Sequence, residues 1–210
     1  MQILTRNHSS RRTAVAIALP GLALALVAAC GTSGNGRQDA ASAGTSTAAA
    51  GPAANGPHNA ADVTFATDMI PHHAQAVEMA DMALGKASDG EVKTLAAAIK
   101  GAQDPEIVKM TGWLNGWAAP VPATGAGDSM HMGTGMMSQS EMGALDQASG
   151  PAFDRMWVDM MTRHHQGAVE MAKAELAQGQ NGDAKTLANE ITAAQTVEIA
   201  KMADISKRLA

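Results

Sequence analysis

Between residues 62 and 85 apolar side chains return every three or four positions. On a helix turning about 100° per residue, Phe65, Met69, Ala76, Met79 and Ala83 fall within about 60° of His72. His73 lies on the edge of that stripe. The stretch from 90 to 117 behaves alike: Leu95, Ile99, Ala102, Met110 and Trp113 share one face, with charged Glu106 amid it and Gln103 at its side. The intervening "GKASDG" carries turn residues, so the pattern predicts a helical hairpin.

The pattern then recurs. Adding 92 to the residue number carries Met69, His72, His73, Ala76, Val77, Glu78, Met79 and Ala80 onto Met161, His164, His165, Ala168, Val169, Glu170, Met171 and Ala172. The same offset carries Gln103, Glu106 and Met110 onto Gln195, Glu198 and Met202, with no gap at the turn. This is a tandem duplication. Its second copy is expected as helices over 152–178 and 183–209 around the turn "GQNGD". Two Phe, no Tyr and abundant Ala and Met leave no strand signal. One hairpin cannot bury its stripe, whereas two packed about a pseudo-twofold axis can. The expected fold is therefore all-α, a four-helix bundle. It has hairpins at 61–118 and 151–210 in one domain, and an irregular crossing at 119–150.

Polar residues on the inner faces suggest what the bundle holds. A turn centred near residue 88 sets His72 opposite residue 104, within about two turns of Gln103, Glu106 and Met110. The turn near 180 sets His164 close to Gln195 and Glu198 in the same way. A carboxylate on a core face needs a partner or a proton. Four imidazoles, two carboxylates and several thioethers thus gather at one level, as a metal or ligand site built half from each hairpin. The plainer alternative is a pair of buried His–Glu hydrogen bonds. Glu78 and Glu170 point off the stripe and read as surface residues. Pro105 has no counterpart at Val197 and is expected to kink its helix and make the halves differ.

In the crossing, "MHMGTGMMSQSEM" places Met130, His131, Met132, Met136, Met137 and Met142 among Gly and Ser, where no core calls for Met. Thioether sulfur favours Cu(I) or Ag(I) over Zn(II) or Mg(II), which makes this a second, soft-metal candidate. The alternative is a linker that happens to be rich in Met.

The N-terminal part adds a compartment. Arg6, Arg11 and Arg12 precede an apolar run ending in "VAAC", which reads as a lipoprotein signal over 1–29 with lipidation at Cys30. Residues 30–60 lack large apolar side chains and read as a disordered tether, with His58 a bystander. Cys30 is the only cysteine, so neither a disulfide nor a thiolate metal site is available after lipidation. Net charge is −5; removing 1–29 takes three arginines and no acid, leaving 12 basic and 20 acidic residues, or −8. That balance argues against nucleic-acid binding. A metal ion and, through the anchor, the extracytoplasmic membrane face are the expected partners; no protein partner is legible.

The motifs "DMIPHHAQAVEMA" and "MMTRHHQGAVEMA", with twin "AQ-x-x-EI-x-KM" tails, resemble the family catalogued as domain of unknown function 305. They are similar to its CopM-like periplasmic copper-binding members. The resemblance covers 61–118 and 151–210. It implies a ferritin-like bundle outside the cytoplasm that binds copper through Met and His and supports metal tolerance. Here the implied ligands are Met69, His72, His73, Met79, Met161, His164, His165 and Met171. Gln103, Glu106, Met110, Gln195, Glu198 and Met202 would stand beside them. Copper, or failing that another transition metal, is the expected cargo, and binding would weaken below about pH 6 as ordinary imidazoles protonate. No enzymatic activity is expected. The competing readings are a ferritin-like metal-dependent oxidase and a structural surface module without metal. An oxidase would use Glu106 and Glu198, but di-iron bundles place Glu three residues before each His, and Met69, Ile70, Met161 and Thr162 stand there instead.

Overall fold

The computed structural model describes residues 56–123 and 134–210. The signal segment, Cys30, the tether up to 55, and Met130, His131 and Met132 lie outside the described residues. Five helices follow one another: α1 Ala60–Lys86, α2 Gly90–Gly116, α3 Gln139–Gln147, α4 Gly150–Gln178 and α5 Gly182–Leu209. The four long ones are the expected pair of hairpins. Their starts are set by side-chain acceptors for the free first-turn amides: Asn59 for α1, Asp89 for α2 and Asn181 for α5.

Two expectations need correction. The crossing is not wholly irregular, because Ser138 and Glu141 form a capping box that starts the short helix α3. Nor does Pro105 end α2, which runs unbroken through it, as α1 does through Pro71. Pro105 and Gly101 both face solvent, so the carbonyl that loses its amide donor can turn to water.

α1 packs on α2, α4 on α5, and α1 on α4, whereas α2 and α5 scarcely touch. The bundle is therefore a central α1–α4 pair flanked by two outer helices. Its interior falls into two apolar clusters. One joins Met79, Ala80, Leu95 and Ile99 to Phe153, Trp157, Met161 and Met202. The other joins Phe65, Met69, Ile70 and Met110 to Ala168, Ala172, Leu187 and Ile191. The offset of 92 exchanges the clusters: Met69 and Met110 lie in one, Met161 and Met202 in the other. Residues between them along each helix are polar: His72 and His73, Gln103 and Glu106, His164 and His165, Gln195 and Glu198. A polar belt thus crosses the bundle at mid-height, on the pseudo-twofold. Ala102 and Ala194, expected inside, face solvent instead.

Two buried aspartates related by the same offset tie the hairpins together. Asp62, in the first turn of α1, accepts from Asn59 N at 2.6 Å, Gln180 N at 3.0 Å and Asn181 N at 2.8 Å. Asp154, in the first turn of α4, accepts from Ser88 N at 3.0 Å, Asp89 N at 3.1 Å and the Ser88 hydroxyl. Each carboxylate fastens one hairpin's first helix to the turn of the other, and such charge-assisted bonds contribute about 1.5–3 kcal/mol each. The symmetry breaks at Glu175, buried beside Asp62, where the first copy has Ala83.

Candidate metal centre

His72 and His164 are copies of one another and meet where the axis crosses the α1–α4 seam. Their ring centroids lie 3.7 Å apart with the planes inclined by 38°. His73 and His165, the next residues on each helix, donate Nε2–H to a carboxylate of their own hairpin. Glu106 Oε2 lies 2.7 Å from His73 and Glu198 Oε2 2.8 Å from His165. All four histidines are buried. The two carboxylates keep 20% and 18% exposure, so they stand at the margin of the belt rather than in mid-core. The matched distances also show that Pro105 opposite Val197 does not distort one half-site.

The halves differ for another reason. His72 Nε2 lies 3.2 Å from the carbonyl of Thr134. A carbonyl only accepts, so this nitrogen carries the proton and Nδ1 of the neutral ring keeps its lone pair. For His164 the backbone of His72 comes near without hydrogen-bond geometry, and neither ring nitrogen has a partner. The Thr134 contact depends on two residues at one repeat position, Gln75 in the first copy and Gly167 in the second. Gln75 clamps the backbone of Met137, donating to its carbonyl at 2.8 Å and accepting from its amide at 2.7 Å. Gly167 leaves space for the chain: a Cβ there would lie 1.9 Å from Thr134 O. Gly135, at φ 83°, makes the matching approach, for its own Cβ would lie 2.7 Å from Arg163 O. Arg163 also pairs with Glu141 at the start of α3. Thr134, Gly135, Gln75 and Gly167 escaped the sequence reading, although the departure from identity within an otherwise repeated motif was the signal.

Burial holds the inner pair neutral. Loss of water, reinforced by His73, pushes the His72 imidazole down to about 3. Burial, then the neighbouring His72, holds His164 well below its ordinary value. Protons therefore do not compete for these rings near pH 6, contrary to the expectation for ordinary imidazoles. What remains is a set of buried polar atoms with no partner in the protein: Nδ1 of His72, His73 and His165, both nitrogens of His164, and Oε1 of Gln103 and Gln195. Leaving such an atom unpaired costs about 1–3 kcal/mol, and here they are concentrated in one belt.

These groups fit a soft cation in part. Among the described residues no three His, Cys, Asp or Glu side chains are grouped as ligands. The seam offers two neutral imidazoles, with buried Met69 and Met161 one helical turn away. Two imidazoles plus thioethers suit Cu(I) or Ag(I) better than Zn(II), which takes four N, O or thiolate ligands. Other candidates fall away from this point. Met79 and Met171 stand seven residues on, about 10 Å along the helix. Met79 fills the first apolar cluster, and Met171 lines a surface groove with Phe65 and Glu175. Met110 is packed in the second cluster, and the Met202 sulfur accepts from the Thr162 hydroxyl at 3.6 Å. Of the Met-rich crossing, Met137 and Met142 prove to be core residues and Met136 is half-buried. The view that no core calls for Met there is thus wrong for two of them.

Residues 62–206 match the family described as Domain of unknown function (DUF305). No curated protein matches the sequence. Among solved structures the chain is similar to a DUF305 protein from Streptomyces coelicolor, at 34% identity over 75% of this chain and 96% of that one, with a TM-score of 0.65. It is similar to CopM in the Cu(II)-bound form, at 37% identity over 71% and 97% with a TM-score of 0.62. The Cu(I)-bound form of CopM gives 34% identity over 70% and 96% with a TM-score of 0.59. The duplicated His-His helices, the all-helical bundle and the match over 62–206 place this chain in the DUF305 family.

Proposed function

We propose that this protein binds a copper ion, as Cu(I), between His72 and His164, and serves to sequester or hand on the metal rather than to catalyse a reaction. The observation that carries the reading is the belt of partnerless buried imidazole nitrogens, held neutral at the level where the two repeats meet. Neutral imidazole is the ligating form, and the rings are already desolvated. The similarity to CopM in its Cu(I)- and Cu(II)-bound forms supports copper as the cargo. In the same reading the chain is exported and lipid-anchored at Cys30, so that the centre works on the extracytoplasmic side, where a thioether remains a ligand.

His72 and His164 would hold the ion, with Met69 and Met161 as the nearest sulfur donors. His73 and His165, tied to Glu106 and Glu198, flank the pair and place two carboxylates near the incoming charge. The ion itself supplies the link between the two copies. The test is Cu(I) titration of the full chain against a competing chelator. The His72→Ala/His164→Ala double variant should lose one high-affinity equivalent while keeping its helical content, and Zn(II) should not displace Cu(I) from the wild type. Unchanged affinity in a folded double variant would overturn the seam site. Loss only on replacing Met130, Met132, Met136 and Met137 would move the site to the crossing.

A further inference from the structure

We propose that the 134–137 segment, seated by Gly167 and Gln75, is a positioning device that fixes the proton of His72 on Nε2 and so offers Nδ1 to the ion. The proposal rests on the copper reading above and concerns which atom the metal meets. A neutral imidazole has one proton to place. In an apolar belt with no acceptor in reach, the two tautomers would differ little. Here the Thr134 carbonyl, 3.2 Å from Nε2, takes the proton's hydrogen bond, and Nδ1 is left buried with no partner. A ligating histidine whose other nitrogen donates to a carbonyl is oriented and made more basic by that bond.

The pseudo-twofold makes the arrangement specific. Perfect symmetry would require two carbonyls, one for each ring. A single segment crosses the axis, and the motif departs from repetition where that segment touches it. Gln75 holds Met137 through both its amide and its carbonyl, and the Gly167 backbone admits Thr134 to a distance no side chain would allow. The two seam histidines are therefore inequivalent: His72 has its proton assigned, and His164 keeps both nitrogens uncommitted. One fixed donor and one adaptable donor let a two-imidazole site accept an ion without rebuilding its interior.

Long-range proton–nitrogen spectra of the imidazole-labelled apoprotein read the tautomer directly, with a His72→Gln control for assignment. In the wild type His72 should appear as a single Nε2–H form. Gly167→Ala should push Thr134 away, mix the tautomers of His72 and weaken Cu(I) binding by about tenfold or more. Gln75→Ala, which removes only the clamp on Met137, should act in the same direction and decides the matter if Gly167→Ala does not fold. Both variants keeping the single tautomer and the wild-type affinity would overturn the positioning role. A wild type that binds no Cu(I) at the seam would instead overturn the copper reading, and with it the purpose assigned to the tautomer.

Discussion

At the scale of single residues, the most exposed consequence of the fold lies away from the histidines, at Glu175. Its carboxyl is buried against that of Asp62, which three backbone amides already hold as the charged form. Burial, then the proximity of Asp62, raises Glu175 from its ordinary 4.5 to about 7, and Lys185 only partly offsets this. The folded chain keeps that proton up to about 7, the unfolded chain only to about 4.5. The contribution is thus fully present below pH 4.5 and is lost as pH rises through 7. Glu175→Gln keeps the shape and abolishes the titration. Thermal melts of variant and wild type should coincide near pH 4.5, and by pH 8 the variant should melt about 2–4 °C higher, as for roughly 1 kcal/mol in a domain of this size. A constant difference at every pH would mean that the two carboxyls do not share a proton.

At the scale of elements, the duplication decides what could be read from sequence. Period and offset exposed all four long helices, and hairpin register placed Glu106 beside His73, because these follow from rises and turns within one hairpin. Contacts between hairpins were not legible. Asp62 and Asp154 look like ordinary first-turn acids, and only the arrival of the other hairpin's turn shows why both are buried. The short helix α3 is too brief for periodicity, although Ser138 and Glu141 carried its capping signature. The matched clamps also permit a comparison that cancels most other effects. At pH 5, Asp62→Ala and Asp154→Ala should cost alike, about 3 kcal/mol each by urea unfolding. At pH 8 Asp62→Ala should cost less, because it also removes the charge that repels Glu175, whereas Asp154 faces no such neighbour at Ala83. Equal costs at both pH values would show that the broken symmetry at Glu175 has no energetic consequence.

At the scale of the whole molecule, both apolar clusters draw on α1, α2, α4 and α5, so neither belongs to one hairpin. A hairpin of about 60 residues is marginal even with a complete core. Here separation would strip α1 of its α4 face and leave His72 and His73 hydrated. Fragments 56–119 and 134–210 should therefore each show weak helicity and broad melts by circular dichroism. Mixed, they should regain the helical signal with a concentration dependence that marks a bimolecular step. The seam adds a sharper expectation, because the proposed ion would take one ligand from each fragment, His72 from the first and His164 from the second. A cation bound only by the assembled form stabilises that form by mass action. Cu(I) should then lower the concentration needed for reassembly, and Zn(II) should not. The His164→Ala fragment should reassemble without responding to Cu(I). Reassembly by that fragment as responsive to Cu(I) as the wild type would mean that the two copies share a core but not an ion.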